Sequence, residues 1–227
     1  MTDTSTLLEQ AASAQDRFEI LFSTLRERIS TLIYPPGTHL SEEALANEFG
    51  ISRSPLRKAL KILEADGLLQ SQQGVGTLVT EVDFNELSQV YQLRLELNEL
   101  VGKLEPQTPD DRIRALFASM RERADLLLRQ PDLKAFSRLN MDFFHAFQTL
   151  TGNQPLRDMS EKLFYQTCRI WLMLIPESNF SKEVKIMHDE IISICDCIDL
   201  GDVPAAALIR RAHLSMGYTR LGAYAQA

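Results

Sequence analysis

The stretch Leu40 to Gly67, LSEEALANEFGISRSPLRKALKILEADG, decides how the N-terminal part of this chain folds. Two helix-sized segments, Glu42 to Phe49 and Arg53 to Asp66, are divided by Gly50 and Ile51, and each follows a serine suited to capping the free N–H groups of a first turn, Ser41 and Ser52. The arrangement is that of a helix-turn-helix. On the second segment Leu56, Ala59, Leu60 and Leu63 gather within about 100° of a helical wheel, while Arg53, Ser54, Arg57, Lys58 and Lys61 take the opposite side. One face is built to pack and the other is cationic. Between Ser52 and Leu63 stand four basic residues and no acidic one, in a chain of net charge −7. That contrast marks a site rather than an average property.

A helix of this kind fits the major groove of B-DNA with its N-terminal residues against the base edges. There arginine can hold guanine through two hydrogen bonds, and serine can reach bases or phosphates. Arg53 and Ser54 are the expected base readers, with Ser52 at the helix start; Arg57 suits either role, and Lys58 and Lys61 suit phosphates. The competing reading is an amphipathic surface helix with a solvated basic face.

The next residues favour DNA. Leu68 to Ser71 and Gln72 to Val79 read as two short strands around a polar tip that contains Gly74, the wing of a winged helix-turn-helix. From about Ile20 to Val79, through SRSPLR, DGLL and the glycine-bearing hairpin, the chain resembles the GntR family of bacterial transcription regulators. The resemblance implies that Arg53, Ser54 and Arg57 correspond to DNA-contacting positions and Gly74 to a wing residue approaching the minor groove. Glu43 stands where some members carry an arginine that touches DNA, so no operator sequence carries over.

The chain as a whole has 227 residues, 44% of them hydrophobic, enough for two modest domains with real cores. No apolar run approaches the roughly 20 residues of a membrane span, and no secretory signal is visible, so a cytoplasmic protein without membrane partners is expected. Cys168, Cys195 and Cys197 lack CxxC spacing and are expected to be reduced thiols. Residues 1–80 carry 7 basic and 10 acidic side chains, so positive charge there is concentrated rather than abundant, and a dimer would present it twice. Residues 1–15 read as a mobile arm and residues 16–80 as the DNA-binding domain, opening with a helix over Asp16 to Tyr34 that Pro35, Pro36 and Gly37 end.

Residues 81–227 read as an all-helical domain for effector binding and dimerisation. Helical patterns run over about 83–104, 109–129, 132–150, 155–175, 180–200 and 203–223, so the fold is mainly α, a winged helix-turn-helix followed by a bundle of about six helices. The junction near residue 82 has no flexible Gly/Ser linker. On the first of these helices Leu87, Val90, Leu97 and Val101 form an apolar stripe from whose middle Arg94 projects. Burying an unpaired charge costs several kcal/mol, so Arg94 needs an anion, either a carboxylate of the fold or a ligand held bidentately.

This region resembles the effector domain of the FadR-like branch of the GntR family (the FCD type), through LRLELN around Arg94, NMDFFHAFQTLTGN from Asn140 to Asn153, and LGDVPAAALIRRAHL from Leu200 to Leu214. Many members of that branch hold a divalent metal through an aspartate or asparagine and three histidines, and bind a small carboxylate effector at the metal and at an arginine equivalent to Arg94. The resemblance thus nominates Arg94, Asn140, Phe144 and His213 for the effector. The metal pattern is damaged, however. Phe144, not His145, falls in register for the first histidine, Ile191 stands at the second with His188 three residues early, and only His213 is aligned. A zinc, nickel or manganese ion, if bound, would need His145, His188 and His213 together, yet a one-residue shift turns a side chain by about 100°. Three histidines satisfied elsewhere are the favoured expectation, and some members of the branch bind larger acyl ligands without metal.

The residues together with the resemblance lead to the expectation of a homodimeric regulator of the repressor type that binds a double-stranded DNA operator and a small carboxylate or acyl metabolite. The alternative is a metal-dependent helical-bundle enzyme with the winged domain as an interaction module. No HExxH, paired ExxH, GxSxG or phosphate loop supports a catalytic set.

Overall fold

The computed structural model describes residues 8, 10–81, 83 and 87–226, and divides the chain into two compact units, Met1–Val82 and Asp83–Ala227. In the first unit helix α1 (Ala14–Ser30) begins two residues ahead of the expected Asp16, because the Ser13 side chain accepts a hydrogen bond from the Asp16 N–H at 3.0 Å. It also stops short of Tyr34, since Leu32 takes a left-handed conformation with φ 59° before the prolines. Of the expected N-terminal arm, residues 1–7 and 9 lie outside the described residues, and Leu8 is buried.

Helix α2 (Glu42–Phe49) is capped by Ser41, which accepts from the Ala44 N–H, and closed by Gly50 in the left-handed region with φ 64°. That reversal sets up helix α3 (Arg53–Ala65), whose Leu56, Ala59, Leu60 and Leu63 are buried against α1 and α2. Each leucine so buried contributes about 1.5–3 kcal/mol. Ser52 precedes α3 as expected but makes no capping bond. Strands β1 (His39–Leu40), β2 (Leu69–Gln72) and β3 (Gly76–Val79) form an antiparallel sheet in the order β1-β3-β2, with Gln72 paired to Gly76 across the hairpin tip.

The second unit contains helices α4 (Ser88–Leu100), α5 (Asp111–Arg129), α6 (Leu133–Gln148), α7 (Gln154–Leu174), α8 (Phe180–Leu200) and α9 (Val203–Tyr224). Asp110, Asp132, Asn153 and Asp202 each cap the helix that follows by accepting from the N–H three residues on, and Pro155 and Pro204 sit in first turns, where a missing N–H costs nothing. Helix α5 lies along α8, while α9 packs on α4, α7 and α8. The core gathers Phe117, Phe143, Phe147, Ile191, Ile194 and Ile198 among others.

Helix α4 corrects one detail of the sequence reading. Of the expected stripe only Val101 is fully buried, and the inward seam is Tyr91, Arg94, Asn98 and Val101, with Leu93 exposed. Leu97 and Leu100 are partly buried against the apolar core, and Arg94 alone of this helix reaches the wall of a cavity.

Candidate functional site

In the first unit Ser52, Arg53, Ser54, Arg57, Lys58 and Lys61 are all exposed along α3, and Gly74 is exposed at the wing tip with nothing within 4 Å of the position a Cβ would take. Their surroundings are uneven. Arg57 Nε lies 2.7 Å from Glu42 of α2, Arg53 lies 3.6 Å from Glu43, and the Lys58 ammonium sits 4.5 Å over the Phe18 ring of α1. Lys61 has no ion pair among the described residues. Exposed pairs of this type are worth about 0–1 kcal/mol, small enough for phosphates or bases to displace.

In the second unit the side chains of five helices enclose a cavity of about 60 Å3, room for roughly four to six waters at about 10–15 Å3 each. Arg94 comes from α4, Phe136 and Asn140 from α6, Phe164 and Trp171 from α7, Glu183 and Glu190 from α8, and Arg210, His213, Gly217 and Arg220 from α9. Its acids are engaged. Glu190 accepts from Arg210 at 2.6 Å, and Glu183, 2% exposed, accepts twice from Arg220, at 2.8 and 3.0 Å, and once from the Tyr224 hydroxyl at 2.8 Å.

Arg94 has no such acid. It is 6% exposed, donates to the Thr167 hydroxyl at 2.5 Å, and lies over the rings of Tyr91 and Phe164, but among the described residues no carboxylate pairs with it. Burial pulls its pKa down from the ordinary arginine value, and the like charge of Arg210 acts in the same direction. The same burial pushes the Tyr91 hydroxyl up to about 12, so Tyr91 stays a neutral phenol and supplies no anion. His213 adds a second open polar group. Its Nδ1 makes no hydrogen bond and lies 3.9 Å from Glu190 Oε2, too far for one.

Of the residues nominated from sequence, Arg94, Asn140 and His213 come together on the cavity wall. Phe144 does not line it; its ring stacks at 4.0 Å on Phe164, which does. His145, one residue on, is turned to the Tyr165 hydroxyl at 2.9 Å, and His188 bonds Asp125 at 2.9 Å on the α5 side. Ile191 is fully buried in the core. The His145, His188, His213 constellation is thus not assembled, and among the described residues no group of three His, Cys, Asp or Glu side chains is placed to hold a metal ion. The residues present do not fit the metal of the FadR-like branch. Protein purified without chelator is expected to carry well under one equivalent of zinc, nickel or manganese by elemental analysis; one equivalent per chain, lost in His213→Ala, would refute this.

Sequence reasoning missed Trp171, Glu183, Glu190, Arg210 and Arg220. The signal that exposed Arg94 was available for Arg210, which interrupts the buried seam Ala206, Ala207, Leu214, Gly217 and Leu221 of α9. At Gly217 an added Cβ would stand 3.0 Å from the Trp171 ring, so the indole rests directly on the α9 backbone.

Comparison with known proteins agrees with both units. Residues 19–79 match the bacterial regulatory proteins of the gntR family, and residues 89–216 match the FCD domain. The HTH-type transcriptional regulator LutR of Bacillus subtilis is 28% identical over 203 residues, covering 79% of this chain and 90% of LutR. YdhC of the same organism, also an HTH-type transcriptional regulator, is 26% identical over 152 residues, 66% of this chain and 68% of that protein. Among solved structures, E. coli McbR/YncC has the same fold, with a TM-score of 0.75 at 18% identity, covering 90% of this chain and 96% of that one. These relatives are regulators, and the enzyme alternative finds no support among them. Among the described residues no helix is long and apolar enough to cross a membrane. With the exposed basic helix, the wing and the cavity-bearing bundle in place, the chain belongs to the GntR family of transcription regulators, a DNA-binding HTH domain joined to an FCD effector-binding domain.

Proposed function

We propose that this regulator is a cytoplasmic homodimer that represses transcription from a double-stranded DNA operator, and that a small carboxylate or acyl metabolite bound in the FCD cavity changes its operator affinity. The observation that carries the effector reading is Arg94, a buried guanidinium on the cavity wall without a carboxylate partner among the described residues. A guanidinium presents a planar fork of donors that matches a carboxylate, and an apolar surround makes the pair stronger than it would be in water. Phe136, Phe164 and Trp171 give the rest of the molecule apolar walls. Repression is supported by the gluconate operon transcriptional repressor of Bacillus licheniformis, 39% identical over 77 residues, 34% of this chain and 31% of that protein. Dimerisation is supported by the two-fold symmetry of operators that half-site readers bind.

Trp171 is the single tryptophan of the chain and lines the cavity, so its emission reports the occupant. Titration with a panel of metabolite carboxylates should give saturable fluorescence changes, and the active compounds should shift the operator gel-shift midpoint. A panel that changes neither signal would count against the effector role. For DNA, Arg53→Ala should cost about 1–3 kcal/mol on the operator and flatten discrimination at one base pair per half-site, whereas Lys61→Ala should weaken operator and random duplex alike. Equal losses on both duplexes for Arg53→Ala would remove the base-reading role.

A further inference from the structure

Among the described residues the wall of the FCD cavity carries three guanidiniums, Arg94, Arg210 and Arg220, and two carboxylates, Glu183 and Glu190. Helices α4 and α9 supply the cations, and α8 supplies both acids. Each acid is closed on one cation. Arg210 donates to Glu190 at 2.6 Å with only 8% and 10% of the two side chains exposed, and its guanidinium also lies 4.9 Å over the Phe143 ring. Arg220 donates to both oxygens of Glu183, at 2.8 and 3.0 Å, and the Tyr224 hydroxyl donates to the first of them. The second oxygen of Glu190 has His213 Nδ1 at 3.9 Å, so His213 stands against an acid of the wall. Three guanidiniums less two carboxylates leave one positive charge, that of Arg94.

We propose that this cavity selects its effector by number of charges, taking an acid with one negative charge and turning away dicarboxylates, with Glu183 and Glu190 as the residues that set the limit. The proposal rests on the reading that Arg94 receives the effector's carboxylate. One carboxylate brings the wall to neutrality. A second finds no other guanidinium without a carboxylate among the described residues, and in about 60 Å3 it stands close to the acids of α8, where like charges removed from water repel strongly. Arg210 is near enough to Arg94 to act on it as a like charge, so an acid held by Arg94 has the Arg210–Glu190 pair beside it. To take Arg210 or Arg220 for itself, the second carboxylate must displace a buried glutamate, which is then left as an unpaired charge. Without the two acids the same three guanidiniums would suit di- and tricarboxylates. Glu183 and Glu190 narrow the choice by making the wrong ligand costly rather than the right one tighter.

Isothermal titration calorimetry on the full-length protein tests this with matched probes. Malonate, succinate, glutarate and their 2-hydroxy derivatives are each compared with their own monoamide, equal in shape and one charge poorer, and with the monocarboxylate of the same chain length. The singly charged acids that bind should do so at least about a hundredfold more tightly than the dicarboxylates they match. Glu190→Gln keeps the shape of the side chain and leaves Arg210 without its counter-charge, so it should shrink that gap by about tenfold or more, as should Glu183→Gln. Melting temperature reports whether each variant is folded, and the wild-type comparison needs no variant. A dicarboxylate that binds wild type as tightly as its singly charged match overturns the proposal and leaves Arg94 as the partner of a carboxylate. A gap unchanged in the folded variants shows that the acids of α8 do not set it, and overturns the proposal too. If no acid of either kind binds, the effector reading of Arg94 falls, and this proposal falls with it.

Discussion

An Arg94→Met variant should remain folded and bind operator normally, melt at the same temperature or higher, and lose the Trp171 fluorescence response to every active carboxylate. Methionine keeps much of the length and apolar contact of arginine while removing the charge. Arg94 is 6% exposed, burial already disfavours its charged form, and no carboxylate among the described residues offsets it, so the protein without ligand loses little when the charge goes. What it gives up is the Thr167 hydrogen bond and the ring contacts with Tyr91 and Phe164, which is why the expected stability change is small. The ligand loses its counter-charge, and a charge-assisted hydrogen bond of this kind is worth about 1.5–3 kcal/mol, roughly a ten- to hundredfold loss of affinity. Melting temperature and fluorescence titration on one preparation decide the matter. A variant that melts lower and still responds would mean that Arg94 serves the fold and not the ligand.

The other large effect concerns stability. Glu183→Ala should cost about 3–5 kcal/mol, because it leaves the Arg220 guanidinium and the Tyr224 hydroxyl without the carboxylate that holds both. Arg220 keeps 23% of its side chain exposed, so water recovers part of the loss and the lower end of that range is expected. In a domain of this size the change corresponds to roughly 10 °C of melting temperature. Asp196→Ala provides the contrast. Its pair with Arg121 is 2.9 Å long but solvent-exposed, and its removal should cost under about 1 kcal/mol. Equal losses in the two variants would show that the Glu183 cluster is no more than a surface pair.

The DNA-binding unit was legible in the sequence because its evidence is local. Leu56, Ala59, Leu60 and Leu63 repeat at helical spacing within one segment, and Gly50 marks the turn by the conformation it adopts. Five bundle helices were legible to within about two residues, and Asp110, Asp132, Asn153 and Asp202 cap four of them locally, whereas the first, expected over 83–104, spans Ser88–Leu100. The cavity was only partly legible. Its wall joins Arg94 to Arg220, residues far apart in sequence, and no single helix repeats in a way that reveals what faces it from another. Arg94 could be singled out because a charge among apolar neighbours is anomalous within its own helix, whereas Glu183 sits among polar neighbours in the first turn of α8 and looks ordinary there. The inward seam of α4 was misplaced for a related reason. Periodicity assumes that charged side chains face out, and here Arg94 turns inward to the cavity wall beside the rings of Tyr91 and Phe164.

The contact between Trp171 and Gly217 bears on the room the cavity offers to the proposed effector. Both residues line the cavity, and the indole stands where it does because position 217 projects only a hydrogen atom; a methyl group there would meet the ring at 3.0 and 3.3 Å and force it to yield. Charge preference and size limit are therefore set by separate atoms. If the cavity takes an acid as proposed, Arg94 would set the charge of the visitor and the bare α9 backbone beneath the indole its girth, so such a regulator could be retuned from one acid to a slimmer or bulkier one by a single carbon atom.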